Sequence, residues 1–236
     1  MFRTVFTAGA AAALAAAALT PSAGATTGGG ASFGGAPSGQ ASFRQASFAP
    51  PEQITIDVVQ VNGSGCRPGS AAVAVAPDNT AFTVTYSEYL AQVGPGADPT
   101  AFRKNCQLGL SLNVPQGYTF AIAQADYRGF ASLHQGATAT QKASYYFQGM
   151  SQTATRSHTL RGPLQDGWQV SDSVPVEALV FHPCGGKRNL NINTELLTQA
   201  GTSDPAKDTS FLTMDSTDGS INTKYHFSWK TCPQRR

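Results

Sequence analysis

Four cysteines behind an export signal constrain this chain more than any other feature, because they indicate its compartment and can tie distant segments together. The cysteines are Cys66, Cys106, Cys184 and Cys232. Four cysteines allow three pairings, and we favour Cys66 with Cys106 and Cys184 with Cys232, since each pair brackets a local run of predicted strands. No Cys-x-x-Cys pattern is present, so the cysteines indicate structural disulfides rather than a redox centre or a zinc knuckle.

The segment 1–25 has the organisation of a secretory signal peptide. Arg3 is its only charge, residues 8–19 form a short apolar run, and Ala23-Gly24-Ala25 offers the small residues that signal peptidase needs. The apolar run is shorter than the about 20 residues of a membrane-spanning helix. We therefore predict cleavage after Ala25, a secreted extracellular protein, and no membrane segment after cleavage. An uncleaved membrane anchor is the alternative.

Residues 26–50 differ in composition from everything after them. They are mostly Gly, Ser, Ala, Thr and Pro, and an Ala-Ser-Phe tripeptide recurs that ends at Phe33, Phe43 and Phe48. Such a segment buries too little apolar surface to offset its ordering entropy, which predicts a disordered lead. The lead is either a flexible linker or an arm whose phenylalanines dock onto another protein. Residues 51–236 are long enough for one core, and we predict a single β domain.

Alternation of apolar and polar residues predicts antiparallel sheets with one buried face. The alternation is clear in 106–114, 221–229, 82–86 and 190–194, and weaker in 54–61, 73–76, 118–124, 144–148 and 174–181. Turn signals separate these runs, among them Asn62-Gly63, Pro115-Gln116-Gly117, Gln165-Asp166-Gly167 and Asp218-Gly219. Many short strands, with one helical turn around 86–93, favour an antiparallel β-sandwich of the jelly-roll or immunoglobulin-like kind. A closed β-barrel is the alternative.

Several short blocks of sequence occur together in a recognisable order. They include Asn62-Gly-Ser-Gly-Cys66, Arg103-Lys-Asn-Cys106, Ala125-Asp-Tyr-Arg-Gly129, Pro183-Cys-Gly185 and Trp229-Lys-Thr-Cys232. As an ordered set over roughly 53–232, they resemble the secreted proteins of the family called domain of unknown function 4360. The resemblance implies a small secreted β protein of bacteria or fungi. It brings neither a catalytic residue nor a ligand.

Charge and motifs argue against several function classes. The chain has 16 basic and 14 acidic residues, and such a balance gives no reason to expect a nucleic-acid partner. The chain has no nucleophile elbow, zinc-protease helix, phosphate loop or dinucleotide fingerprint. The four histidines are scattered, at His134, His158, His182 and His226. We therefore expect no cofactor and no metal site.

Two carboxylates form the best catalytic candidate in a chain that we expect to be non-catalytic. A glycoside hydrolase needs two carboxyl groups about 5–10 Å apart, one of them with a raised pKa. Glu88 lies among tyrosines, Asp126 precedes Tyr127-Arg128, and the two carboxylates can meet across a sheet. The alternative is that Asp126 pairs with Arg128 or caps a turn, and that Glu88 is solvated.

A group of aromatic residues favours a binding role instead. Tyr145 and Tyr146 are neighbours on a predicted strand, so they face opposite sides and one of them should be exposed. Exposed rings stack on sugar faces and anchor protein interfaces. We therefore predict a carbohydrate or cell-wall binder that uses Tyr127, Tyr145, Tyr146 and Arg128. The alternatives are a secreted hydrolase, and a protein-interaction or inhibitor module that uses the lead 26–50.

Overall fold

The computed structural model describes residues 49–50, 52–151, 154–214 and 222–233. The predicted signal peptide 1–25, the lead up to residue 48 and the turn at Asp218-Gly219 lie outside the described residues. The division of the chain into signal, lead and β domain therefore stays a prediction.

Twelve β-strands follow one another along the described residues, with one 3-10 turn at Val176–Ala178. No helix in this part of the chain has the length and apolar character needed to cross a membrane. The strands are β1 (Thr55–Asn62), β2 (Ala71–Val75), β3 (Ala81–Tyr86), β4 (Leu90–Val93), β5 (Arg103–Asn113), β6 (Tyr118–Leu133), β7 (Thr138–Phe147), β8 (Ala154–Arg161), β9 (Leu164–Ser173), β10 (Leu190–Gln199), β11 (Ser210–Thr213) and β12 (Thr223–Thr231).

These strands form two antiparallel sheets that pack face to face. Sheet A has five strands in the order β1-β5-β10-β7-β8. Sheet B has seven strands. Six of them follow the order β2-β3-β12-β6-β11-β4, and the seventh, β9, pairs with β6. The sheets do not close on each other, so the predicted antiparallel β-sandwich is confirmed and the barrel alternative is not realised.

Alternation along the strands builds the core between the sheets. In β10, Leu190, Ile192 and Leu196 are at most 1% exposed, whereas the residues on either side of Ile192 face outward. From sheet B, the ring of Phe82 stacks on that of Tyr225 with centroids 4.9 Å apart. Full burial of a Leu or Ile side chain contributes about 1.5–3 kcal/mol. Because the inner faces are filled, the space between the sheets is not open to a ligand.

Both favoured disulfides are present. Cys66–Cys106 joins the β1–β2 loop to β5, and Cys184–Cys232 joins the segment after the 3-10 turn to the end of β12. The bridged residues are 40 and 48 positions apart. Loops of this length stabilise by roughly 3–4 kcal/mol each in the chain-entropy model.

Three segments of the chain depart from the sequence prediction. Gln165-Asp166-Gly167, predicted as a turn, lies inside β9 because the long strand β6 pairs with it along its length. Such pairing outweighs the low strand propensity of Asp and Gly. The predicted helical turn at 86–93 contains β4, which pairs with β11. The run 174–181 contains the 3-10 turn instead of a strand, since Pro175 has no N–H to donate to a ladder.

Candidate functional site

The outer face of sheet A contains a polar groove of about 450 Å³. Strands β5, β10 and β7 form its floor, and their outward residues are polar because the inward positions hold the core. The side chains that line it are Arg103, Asn105, Gln107, Lys142, Ser144, Asn193 and Glu195.

The register of the three strands orders six of these side chains in two rows. The rows are Asn105–Glu195–Lys142 and Gln107–Asn193–Ser144. Neighbouring strands lie about 4.8 Å apart, so each row extends about 10 Å across the sheet. Amides donate and accept hydrogen bonds, a carboxylate accepts, and an ammonium donates. The groove therefore offers both hydrogen-bond polarities within a short distance.

Asn193 lies at the middle of its row and has an unsatisfied amide oxygen. Its Oδ1 is buried and accepts no hydrogen bond from the described residues. Native proteins pair the great majority of buried polar atoms, and an unpaired one costs about 1–3 kcal/mol. Because this oxygen has almost no accessible surface, a donor from outside the protein reaches it when the Asn193 side chain turns toward the groove.

The charges of the groove are unevenly paired. Arg103 donates to Glu195 Oε2 through Nε at 2.9 Å and also through Nη2. These hydrogen bonds, together with the charge of Glu195, raise the pKa of Arg103. Lys142 is directly opposite Glu195 in register, yet no carboxylate of the described residues lies within 4.0 Å of its Nζ. The groove thus holds two cations against one anion.

Tyr146 is the predicted ligand residue that lies on this face. Alternation along β7 turns Tyr145 inward and Tyr146 outward, where Tyr146 is partly exposed and aligned with Asn191. This position is two residues beyond Ser144 on the same strand. Tyr146 therefore presents an aromatic ring next to the polar rows.

Tyr127 and Tyr145 lie in the interior, which corrects their predicted role at a surface. Their exposed fractions are 0% and 7%, and their hydroxyl oxygens are 2.9 Å apart. This hydrogen bond joins β6 of sheet B to β7 of sheet A, and burial raises the pKa of both hydroxyls. The two tyrosines tie the sheets together and offer no ring to a ligand on the surface.

Arg128 and Asp126 lie on the outer face of sheet B. Arg128 is exposed there, so the fold does not bring it together with Tyr146. Asp126 is hydrogen-bonded to Ser171 at 2.6 Å, to Gln124 at 2.8 Å and to His226 at 2.7 Å. Partial burial alone would raise the pKa of Asp126, but these hydrogen bonds outweigh it and hold the pKa below its ordinary value.

The two carboxylates of the hydrolase alternative have separate partners. Glu88 forms an exposed ion pair with Arg67 and lines a depression that also contains Asp98. Asp126 lines a different depression on sheet B. A glycosidase acid needs a raised pKa, whereas that of Asp126 is lowered. The residues that were paired in the sequence analysis are therefore not arranged as an acid and its partner.

The four histidines are dispersed over the sandwich. His158 lies 2.8 Å from Asp172, and His134 lies 3.5 Å from Asp208. His182 stacks on Phe120, and burial there lowers the pKa of its imidazole. Within the described ranges, no group of three or more His, Cys, Asp or Glu side chains is placed to hold a metal ion.

Sequence reasoning did not identify the floor of the groove. Alternation marks Asn193 in 190–194 and Gln107 in 106–114 as outward residues, and this was the usable signal. It does not reveal that β5, β10 and β7 become neighbours, since these strands are separated by long stretches of chain. The groove depends on this pairing and could not be assembled from local pattern.

Comparisons with known proteins identify relatives of the chain. Residues 52–232 match the family described as domain of unknown function (DUF4360). A protein of Arthroderma benhamiae named "Uncharacterized secreted protein" is 36% identical over 182 residues, which cover 77% of this chain and 73% of that protein. The enzymatically active domain of tailspike protein 4 from bacteriophage CBA120 is 10% identical over 76% of this chain. The chain spans 19% of that structure, and the TM-score is 0.23.

Proposed function

The chain belongs to the DUF4360 family, and we propose that it is a secreted, non-catalytic protein that binds carbohydrate on the outer face of sheet A. The proposal keeps the function class predicted from the sequence and assigns the binding to the groove. Export is supported by the name of the Arthroderma benhamiae relative. It is also supported by the two disulfides, since such bonds persist in oxidising compartments.

The unsatisfied oxygen of Asn193 is the observation that carries the proposal. When the Asn193 side chain turns toward the groove, a sugar hydroxyl can donate to this oxygen and, in the same position, accept from a neighbouring amide or ammonium. The rows of Asn105 and Gln107 repeat such partners across the floor. A polyhydroxylated ligand therefore matches the groove better than an apolar ligand, which would leave these groups without partners.

The size of the groove and the neighbouring tyrosine agree with this ligand class. Binding sites for small ligands commonly enclose about 300–1,000 Å³, and the groove has about 450 Å³. Tyr146 lies on the same face as the polar rows. An aromatic ring beside hydrogen-bonding groups suits a sugar, which has an apolar face and polar edges.

The two alternatives have less support in the described residues. The hydrolase alternative depends on Asp126 and Glu88, which have different partners. The protein-interaction alternative depends on the lead 26–50, most of which lies outside the described residues. It stays a prediction.

The proposal is tested by measuring binding of the purified secreted protein to insoluble and soluble glycans. Chitin, cellulose, peptidoglycan and β-glucan would be assayed by depletion, with released sugar measured in the same samples. Soluble uronates, dextran sulfate and their neutral counterparts would be titrated by calorimetry. We expect binding without sugar release. Asn193→Ala should weaken binding about tenfold, the equivalent of one good hydrogen bond.

Asn222→Ala is the matched control, because Asn222 lines a depression on the outer face of sheet B. This variant should bind as the wild type does. A folded wild-type protein that binds no glycan in the set would overturn the proposal. Equal losses in the two variants would also refute the assignment to the groove.

A further inference from the structure

We infer that the groove selects an anionic glycan and that Lys142 recognises its negative group. This inference rests on the proposed function, because it specifies the ligand class of the same groove. The anionic group is a carboxylate or a sulfate ester, two groups that share the chemistry of oxygen acceptors with a full negative charge.

Glu195 already has a cationic partner. Two cations lie beside this carboxylate: Lys142 is directly opposite it on β7, and Arg103 is diagonal to it on β5. Arg103 donates to Oε2 through two nitrogen atoms, Nε and Nη2. A guanidinium held in this way is fixed more firmly than an ammonium would be. The carboxylate of the groove is thus occupied by Arg103.

Lys142 has no anionic partner among the described residues. Its other neighbour in register is Ser157 on β8, which has no charge. Across the next row, Ser144 and Thr155 are hydrogen-bonded to each other at 3.1 Å. In the described part of the chain, no anion therefore comes within ion-pair distance of Lys142, although it lines the groove. Its ammonium is free to meet an anion of the ligand.

The excess of positive charge is local to the groove. The whole chain has 16 basic and 14 acidic residues, which gives little general attraction for a polyanion. Within the groove, Arg103 and Lys142 face a single carboxylate. The amide of Asn193 lies in the next row and can donate to the same anionic group. Charge-assisted hydrogen bonds are about twice as strong as neutral ones. The acidic form of a glycan should therefore bind in the groove more tightly than its neutral form.

The experiment compares acidic glycans with neutral partners of the same backbone. The pairs are polygalacturonate and its carboxyl-reduced form, alginate and its carboxyl-reduced form, and dextran sulfate and dextran. Wild-type protein should bind at least one acidic member about tenfold more tightly than its neutral partner, as expected for one hydrogen bond to a charged group. The preference should weaken as salt is raised. The uronate and sulfate pairs distinguish the two sources of the negative charge.

Lys142→Met tests the residue, because methionine keeps an unbranched side chain and removes the charge. This variant should lose the preference for the acidic member, because its affinity for that member should fall more than its affinity for the neutral one. Lys224→Met is the control, since Lys224 is an exposed lysine on the outer face of sheet B. The control variant should keep the wild-type preference.

The outcomes separate this inference from the proposed function. Equal wild-type binding to both members of every pair, or binding to neutral glycans alone, would overturn anion selection and leave carbohydrate binding standing. Failure to bind any glycan would overturn both. A loss of preference in Lys224→Met equal to that in Lys142→Met would also overturn the inference, because general surface charge would then explain the attraction.

Discussion

The outer faces of the two sheets both present polar side chains, but they differ in whether those side chains already have partners. On sheet B, the carboxylate of Asp126 is hydrogen-bonded to Ser171, Gln124 and His226. On sheet A, the buried oxygen of Asn193 accepts no hydrogen bond from the described residues. A polar sheet face that satisfies itself acts as structure, whereas one that is left unsatisfied is positioned for a ligand.

The difference has an energetic basis. A satisfied hydrogen bond contributes about 0.5–1.5 kcal/mol to stability, whereas a buried polar group without a partner costs about 1–3 kcal/mol. Proteins commonly retain such a cost where function requires it. Substitution of Asn193 should therefore reduce stability less than substitution of Asp126. It should reduce ligand binding more.

The largest expected effect comes from filling one depression at a time. Ser144→Trp places an indole on the floor of the sheet A groove, and Thr83→Trp does the same in the depression on sheet B. Both residues face outward on their strands, so both variants should fold. Ser144→Trp should reduce glycan binding by more than about tenfold, because the side chain occupies the space of the ligand. Thr83→Trp should bind as the wild type does.

Depletion from the best-binding glycan measures this effect, and thermal unfolding confirms that both variants are folded. Wild-type affinity in Ser144→Trp, or a loss in Thr83→Trp alone, would reverse the roles that we assign to the two faces.

A smaller effect is expected when stability is measured in place of binding. Asp126→Ala leaves Ser171, Gln124 and His226 without their shared acceptor and should cost about 1–2 kcal/mol. For a protein of this size, the melting temperature should fall by about 2–8 °C. Asn193→Ala removes an acceptor that had no partner and should leave the melting temperature unchanged or slightly higher. A lower melting temperature for Asn193→Ala than for Asp126→Ala would contradict this difference between the two faces.

Much of the fold could be predicted from local pattern, and particular residues show where this stops. The alternation in β5, β10 and β12 identified those strands, and the strand runs between the cysteines indicated the pairing that is observed. Strand β9 contains Asp166 and Gly167, two residue types with low strand propensity. It is a strand because β6 pairs with it, and pairing partners are not encoded in the segment itself.

The candidate site was only partly predicted, because its residues also depend on which strands pair. Alternation requires Tyr145 and Tyr146 to face opposite sides, but it does not say which side is the core. Pairing of Tyr145 with the interior hydroxyl of Tyr127 settles this point. Lys142 and Asn193 come from strands that are far apart in the chain, so their proximity follows from the register of β7 and β10. The chemistry of each residue is local, whereas the groove is a property of the sheet.

Acid pH gives the smallest expected effect on this comparison, because it changes Asp126 without altering the packing. Partial burial tends to raise the pKa of Asp126, but hydrogen bonds from Ser171, Gln124 and His226 outweigh it and lower the pKa. The folded-state pKa therefore lies below the unfolded-state value of about 3.9. The stabilisation is fully present above the unfolded-state pKa and is lost as the pH falls through the folded-state pKa.

The free energy of unfolding of wild type and Asp126→Asn, measured between about pH 5 and pH 2, tests this expectation. The advantage of the wild type should be greatest near the upper end and should shrink as the carboxylate is protonated. Asn193→Ala is the control, because it changes no titrating group and its difference from the wild type should stay flat over the same range. A wild-type advantage over Asp126→Asn that persists undiminished at the acid end would mean that packing, and not the charged hydrogen bonds, stabilises the face of sheet B. The two outer faces would then differ in shape, and not in whether their polar groups have partners.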